Sequence, residues 1–476
     1  VGVFLKRIIK YTPSGELLLP DDAGRGLEAS YSKAFVDEVD GAADRAVWSS
    51  DYINEIFMHF YLRMLEITSL FKASGSDGVV LKSYKGEWSS VVAAAKKGGL
   101  HVGFLDLAYF YIFGTLLYIA SFVAVVLSAF IFPGLALLTR KRRPTEVAPE
   151  FSVIRSPAAF DKMRFLSDSG KVDFYYDDLL QRKPSAASLY GFGTRSERIR
   201  SLLIVPVLAF RDYFRVANDS RKLLGWGGGG FVLYYFSKRI AHKCTFEYYL
   251  HLLIKRSGLE AYYTGNKEDR FAILEKRLCR KYAVRCVCVP HGIEYAFKTP
   301  AGLVGDVFYC TTEHARQHLS NLYAGAQVFV YDKDVAQQMF SRHQVVAPVK
   351  GIVFFPESRG ADVNLSILGD LLGLGYDIAV KLHPKDDVAN YKHYAEQITF
   401  VSDFDSSISN KICLARKSTV LVEAIYNNST PIAILTDPRD RGYVEHMLPS
   451  LTDDQILRVY SVEELACVLA KLQASA

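Results

Sequence analysis

The chain has 476 residues, of which 50% are hydrophobic and 23% charged. That balance excludes a disordered chain and a polytopic membrane protein, and it leaves room for two or three domains with separate cores. Fifty-seven Lys and Arg against 51 Asp and Glu give a net charge of +6. Because no basic stripe is interleaved with aromatics, this mild excess fits a membrane surface or an anionic small substrate better than nucleic acid.

Residues 1–103 form an N-terminal region without an assigned role. TPSGELLLPDDAGRG reads as loop, while DYINEIFMHFYLRMLEITSLF, from Asp51 to Phe71, carries apolar residues at helical spacing. It predicts an amphipathic helix, either core or membrane-surface. Residues 104–143 follow as a membrane-inserted or re-entrant segment with a basic flank. Leu107 to Thr139 is 33 residues without a charged side chain, about 50 Å of helix against a hydrocarbon core of ~30 Å. Lys96 and Lys97 precede it and Arg140, Lys141, Arg142 and Arg143 follow. The heavier downstream cluster predicts attachment to the inner membrane with the later domains on the cytoplasmic side. A turn near Gly114 or at Pro133-Gly134 would make the segment a hairpin. A buried core helix is the plainer alternative.

From residue 148 strands and helices alternate. FSVIR, KVDFYYDDL, EAYYTGN and VRCVCVPHG predict strands. ERIRSLLIVPVLAFRDYF, FEYYLHLLIKRSG and EDRFAILEKRLCRKYA predict helices. A second series runs through AQVFVYD, KGIVFFPESRG, YDIAVKLHP, ITFVSD, KICLAR and PIAILTD, with helices between. The βαβ texture predicts parallel sheets. We therefore expect an α/β fold with two Rossmann-like domains facing a cleft, at 148–325 for the acceptor side and 326–476 for a nucleotide-sugar. Gly227 to Gly230 lacks the Lys-Ser/Thr of a phosphate loop and reads as a flexible turn between helices. The seven cysteines lie mostly inside apolar runs and read as reduced core thiols of a cytoplasmic compartment. Cys286 and Cys288 share a strand face, but no second Cys or His pair stands at zinc spacing, so no metal is expected.

In open α/β sheets, ligands bind outside the carboxyl ends of the strands. Five clusters fall there. VPHGIEYAF supplies His291, FFPESRG supplies Arg359, KLHPKDD supplies His383, LARKSTVLVEA supplies Ser418, Thr419 and Glu423, and TDPRDRG follows PIAIL. Side chains alternate along a strand, so Lys381 and His383 share a face. Pro384 ends the pairing and holds His383 extended, aiming its imidazole out of the sheet edge towards a phosphate. A helix opening at Ser418-Thr419 offers free N–H groups to a phosphate, although an ordinary N-cap is commoner. Glu423 shares a helical face with Thr419 and suits ribose hydroxyls, and Arg359 suits phosphate charge.

The order KLHPKD, strand, ARKSTVLVEAI, strand resembles the nucleotide-binding lobe of GT-B glycosyltransferases carrying an HP motif. These are the bacterial sialyl- and polysialyltransferases, the Kdo transferases of capsule and lipopolysaccharide assembly, and the CDP-glycerol polymerases. The stretch YYTGNKEDRFAILEKRLCRKYAVRCVCVPHGIEYAF is similar to the segment ending in His-Gly at their cleft, and the resemblance covers roughly residues 150–476. It implies His383 and Pro384 at the donor's phosphate and base, Ser418 and Thr419 at the phosphate, and Glu423 near the ribose; Lys381 and Arg359 join this candidate donor site from their own strand-end positions. It implies inverting, metal-independent transfer without a cofactor, from a nucleotide-sugar (CMP-sugar favoured) to a glycan or glycolipid acceptor at a membrane. The acidic pair followed by Gly that serves as base in the sialyltransferases is not intact here, which leaves Glu268, Asp269, His291 and Glu294 as candidate bases. A UDP-sugar 2-epimerase, a CDP-polyol phosphotransferase and a catalytically silent assembly scaffold are the competing readings.

Overall fold

The computed structural model describes residues 7–11, 17–18, 32–74, 79–82, 92–93, 96–97, 104–139, 148–180, 187–325, 327–342, 349, 351–357, 360–384 and 386–474. Arg359 and the cluster Arg140 to Arg143 lie outside the described residues.

Three short strands, β1 (Arg7–Tyr11), β2 (Leu17–Leu18) and β3 (Val79–Lys82), form a small sheet of their own. Two larger sheets, each of six parallel strands, build the body of the molecule. In the first, β4 (Glu150–Ile154), β5 (Asp173–Tyr176), β6 (Ala261–Thr264), β7 (Arg285–Cys288), β8 (Val307–Tyr309) and β9 (Val328–Val330) lie in the order β5-β4-β6-β7-β8-β9. In the second, β10 (Ile352–Phe355), β11 (Ile378–Val380), β12 (Ile398–Phe400), β13 (Ile412–Ala415), β14 (Thr430–Ile434) and β15 (Leu457–Val459) take the order β12-β11-β10-β13-β14-β15. Near-continuous apolar runs such as IVFF and ICLA are what a parallel sheet covered on both faces demands. All four residues of β10 and of β13 are buried. The fold is α/β and GT-B-like, two Rossmann-type lobes joined at β9 and β10. Among the described residues all seven cysteines are free thiols and six are buried.

The N-terminal region is built into this body. Helix α1 (Lys33–Arg45) is followed by α2 (Ile53–Ile56), a π-turn (Phe57–Tyr61) and α3 (Leu62–Ser74). The amphipathic stretch is core: Tyr52, Ile56, Phe57 and Leu65 are fully buried. Asn54 donates to the Gly302 carbonyl (3.0 Å) and accepts from the Ala301 N–H (2.8 Å).

Helix α4 (Phe104–Leu138) is a single continuous helix of 35 residues, with Pro133 inside it and no hairpin turn. It packs on α6 (Arg195–Ser257), which is two antiparallel arms. A capping box at Thr194 and Glu197 starts the first arm, and Gly258 at φ 57° ends the second. The arms meet at Gly225, whose φ of 75° and ψ of 178° are open essentially only to glycine. Gly227 to Gly230 are therefore helical rather than a turn; the turn lies just upstream. The glycines are needed for contact, since a Cβ on Gly230 would sit 2.0 Å from the Gly114 carbonyl oxygen of α4.

Candidate functional site

Each sheet has one point where the strand order reverses, and crevices open there beyond the carboxyl ends. In the first lobe it lies between β4 and β6. The loop after β6 carries Lys267, Glu268 and Asp269 into α7 (Arg270–Lys281). Asp269 is the N-cap of α7, accepting from the Ala272 N–H (2.8 Å), and forms a two-pronged pair with Arg155 at the end of β4 (2.7 and 3.0 Å). Burial pushes the Asp269 carboxyl up, but the charge and hydrogen bonds of Arg155, the Arg270 charge and the Ala272 N–H together outweigh it and the net shift is downward. Its oxygens are occupied, so it braces the loop.

Glu268 is different. Its Oε2 is buried and has no hydrogen-bond partner among the described residues. Loss of water pushes its carboxyl up to about 7; Lys267 opposes the shift while Asp269 and Glu55 add to it. The side chain is only partly screened from solvent. Glu275 on α7 is also pushed up to about 7 by burial, yet it is 0% exposed and lies under the sheet against Arg155 (3.6 Å), out of reach of a substrate.

After β7, His291 turns back over the same loop. Its Nδ1 lies 2.5 Å from the Gly265 carbonyl, which must accept, so Nδ1 carries the proton and Nε2 is left as acceptor. Burial lowers its pKa, so the ring is neutral at pH 7. Glu294, three residues on, is fully buried and accepts from the Thr311 N–H and hydroxyl (2.7 Å each) and from the Ser450 hydroxyl of the second lobe. It ties the lobes together. Lys267 donates to the Ile293 carbonyl and lies 4.1 Å above the Tyr295 ring.

In the second lobe the reversal lies between β10 and β13. Glu357, past β10, accepts from the Lys417 N–H (2.9 Å), past β13. Arg416 is buried and pairs with Asp440 (3.1 Å) on α13, which runs Pro438–Met447. Lys417 Nζ reaches the same carboxylate (2.6 Å), and Asp440 is held below its usual range because these cations outweigh its burial. This network of Arg416, Lys417, Glu357 and Asp440 escaped sequence reasoning, although Arg416 and Lys417 sit inside the quoted ARKS. Ser418 accepts from the Val420 N–H (3.3 Å), and Thr419 is the N-cap of α12 (Val420–Ile425) without a side-chain bond. That helix is only six residues long, so its dipole is weak. Lys381 is half-buried and His383 and Pro384 are exposed beyond β11. β11 and β13 flank β10, so their ends lie about 10 Å apart.

Glu423 is nearly buried and pairs with Lys162 (2.9 Å) and Arg342 (3.2 Å), Lys162 belonging to α5 (Pro157–Asp168) of the first lobe. Arg342 also binds Asp161 of α5 (2.7 Å). The structure thus brings Glu268 and His291 together on one lobe, groups Lys381, His383, Pro384, Ser418 and Thr419 on the other, and places Glu423 in an inter-lobe clamp. The two edges share a cleft. The Ala296 N–H donates to the Met447 carbonyl (2.9 Å), and the buried Tyr443 hydroxyl feels Tyr295 from one lobe and Lys417 and Glu357 from the other.

Among the described residues one group has metal-ligand chemistry: Asp212, Cys244 and Glu247 on α6, with donor atoms within 4.8 Å. Lys243 already supplies the cation, 2.8 Å from Asp212 and 3.2 Å from Glu247, with Asp51 beside it. Arg211 and Arg277 complete three cations against three carboxylates. Burial pushes the Cys244 thiol well up, so it is a poor ligand. A cavity of about 450 Å³ lined by Gln337, Asn410, Tyr426 and Asn427 lies at the amino ends of β13 and β14, the opposite edge from the cleft.

No protein-family model matches the chain, and no curated protein sequence is similar to it. Among solved structures, the crystal structure of the Methanocaldococcus jannaschii UDP-GlcNAc 2-epimerase in complex with UDP-GlcNAc and UDP aligns with a TM-score of 0.37 and 8% identity, over 68% of this chain and 92% of that one. So distant a likeness does not reach the chemistry of this cleft, whose residues have to be read from their own geometry.

Proposed function

We propose that the chain is a membrane-associated inverting glycosyltransferase that takes a nucleotide-activated sugar, CMP-sugar favoured, and builds a surface polysaccharide or glycolipid such as capsule or lipopolysaccharide on the cytoplasmic side of the inner membrane. The observation that carries the reading is Glu268, whose buried Oε2 has no hydrogen-bond partner among the described residues and whose carboxyl is pushed up to about 7 by burial, at the crevice of one lobe across from the lobe that carries Lys381 and His383. A general base works best when its pKa matches the working pH. Glu268 takes the proton of the acceptor hydroxyl, the hydroxyl oxygen bonds to the anomeric carbon, and the sugar–phosphate bond breaks with its electrons passing to the phosphate. Lys381, His383, Ser418 and Thr419 receive the growing charge. With those donors no metal is required, and a chelator is expected to leave turnover unchanged.

The test is thermal stabilisation of the detergent-purified protein by CMP, CDP, UDP and GDP, in wild type, His383→Ala and Glu268→Gln. The expected result is stabilisation by one nucleotide, lost in His383→Ala and kept in Glu268→Gln. No stabilisation by any nucleotide sinks the proposal and leaves the scaffold.

A further inference from the structure

Helix α4 is long and apolar enough to cross a bilayer, but its packing argues for another placement. The first arm of α6 runs beside it from Leu137 back to Tyr118. Arg198 at the start of that arm donates to the carbonyls of Ala136 (2.6 Å) and Leu137 (2.8 Å). Near mid-helix, Phe122 meets Phe210 (5.7 Å between rings), and the Tyr213 hydroxyl donates to the Tyr118 carbonyl (3.0 Å). Past the bend at Gly225 the second arm takes over, Trp226 donating to the Thr115 hydroxyl (2.9 Å) and Phe231 stacking on Phe110. An α4 that crossed the membrane would carry this arm with it and set Arg211 and Arg215 at the depth of Phe122, at the bilayer centre, where charge is most costly.

The exposed face of that arm has its own pattern. Ile199, Leu203, Val207 and Phe214 are 51%, 74%, 67% and 63% exposed. At 3.6 residues per turn they fall within about 80° of arc. Phe210 lies in the same arc and joins the stripe to α4 through Phe122. The exposed charges of the arm, Arg195, Arg200, Arg215, Arg221 and Lys222, are all cationic. Its acids are turned away: Asp212 and Asp219 are buried and Glu197 pairs with Arg256. A lone apolar stripe fits any hydrophobic partner, whereas a stripe bordered by cations and free of exposed acids fits the headgroups and acyl boundary of an anionic bilayer.

We propose that α4 lies in the plane of the membrane and that the first arm of α6 is a second rail beside it, its apolar stripe in the acyl boundary and its arginines on anionic headgroups. This rests on the membrane attachment proposed above and replaces a span with a monotopic surface. The test is flotation of the full chain with vesicles of phosphatidylcholine alone or mixed with phosphatidylglycerol. Wild type is compared with Leu203→Glu/Val207→Glu and with Arg200→Gln/Arg215→Gln/Arg221→Gln, whose sites are exposed, so that the circular dichroism of each variant is expected to match wild type. Binding of wild type to the mixed vesicles is expected to fall by about 100-fold in the arginine triple variant, and the difference to vanish on phosphatidylcholine. Either variant floating like wild type overturns the rail. Nitroxide labels on cysteines placed at Ile112, Ile119, Leu127 and Ile131 are expected at one shallow depth. A profile that sinks to the midplane and rises again overturns the in-plane placement while attachment stands; wild type failing to float on any vesicle defeats attachment itself.

Discussion

Glu268 has a pKa near 7 in the folded chain and near 4.5 in the unfolded one, and the difference acts on activity and stability in opposite senses. As a base it must be ionised, so turnover is expected to rise with pH on an acid limb near 7, and Glu268→Gln to lower turnover by about 10²-fold or more while nucleotide binding persists. For stability, the folded chain keeps a proton that the unfolded chain has released between about 4.5 and 7. The stabilisation is complete below the unfolded value and is lost as pH climbs through the folded one. Glu268→Gln is therefore expected to raise the melting temperature at pH 8 and leave it unchanged at pH 4, checked by scanning fluorimetry at both. An unchanged melting temperature at pH 8 means the carboxyl is not held in a raised state. In the sequence, Glu268, Asp269 and Glu294 are equivalent acids near a strand end. What separates them is far away: Asp269 is claimed by Arg155, 114 positions earlier, and Glu294 by Thr311 and Ser450.

At the scale of elements, strands were the most legible because a buried parallel strand needs an unbroken apolar run, and IVFF, ICLA and PIAIL have one. β8 and β15 escaped this reading: each has three residues of which only one is buried, too little apolar pattern to stand out. Helix contacts were less legible. Four glycines in a row read as a turn from local propensity, yet packing against α4 keeps them helical, a tertiary override of a weak preference. Gly230→Ala is expected to cost about 2–3 kcal/mol in urea unfolding, because the methyl would meet the Gly114 carbonyl; a loss below a few tenths would mean the arms separate easily. Glu423 was placed near ribose by its spacing from Thr419, and its partners Lys162 and Arg342 come from other segments. Glu423→Gln leaves the buried Lys162 without a counter-charge, while Arg342 keeps Asp161, and is expected to cost about 3 kcal/mol of stability. If it shifts KM for the donor with no change in the urea midpoint, the ribose role wins over the clamp.

For the whole molecule, sequence pattern gave the two α/β lobes, because βαβ repetition is local, but not how they join, which depends on contacts between distant segments. Deleting 107–139 tests this. A detachable anchor would leave a soluble, folded remainder. Here the same segment satisfies Arg198 and covers the glycine face of α6, so the deletion is expected to yield insoluble chain, and a soluble, folded product would refute the packing. The lobes in turn share one body of buried apolar side chains, running from Phe35 and Val39 of α1 through Met163 and Val289 of the first lobe to Val353 and Leu421 of the second. Neither lobe can shed the other without exposing that surface. Calorimetry is therefore expected to record a single cooperative transition rather than two, and the cleft admits its substrates by movement of its loops rather than by swinging the lobes apart.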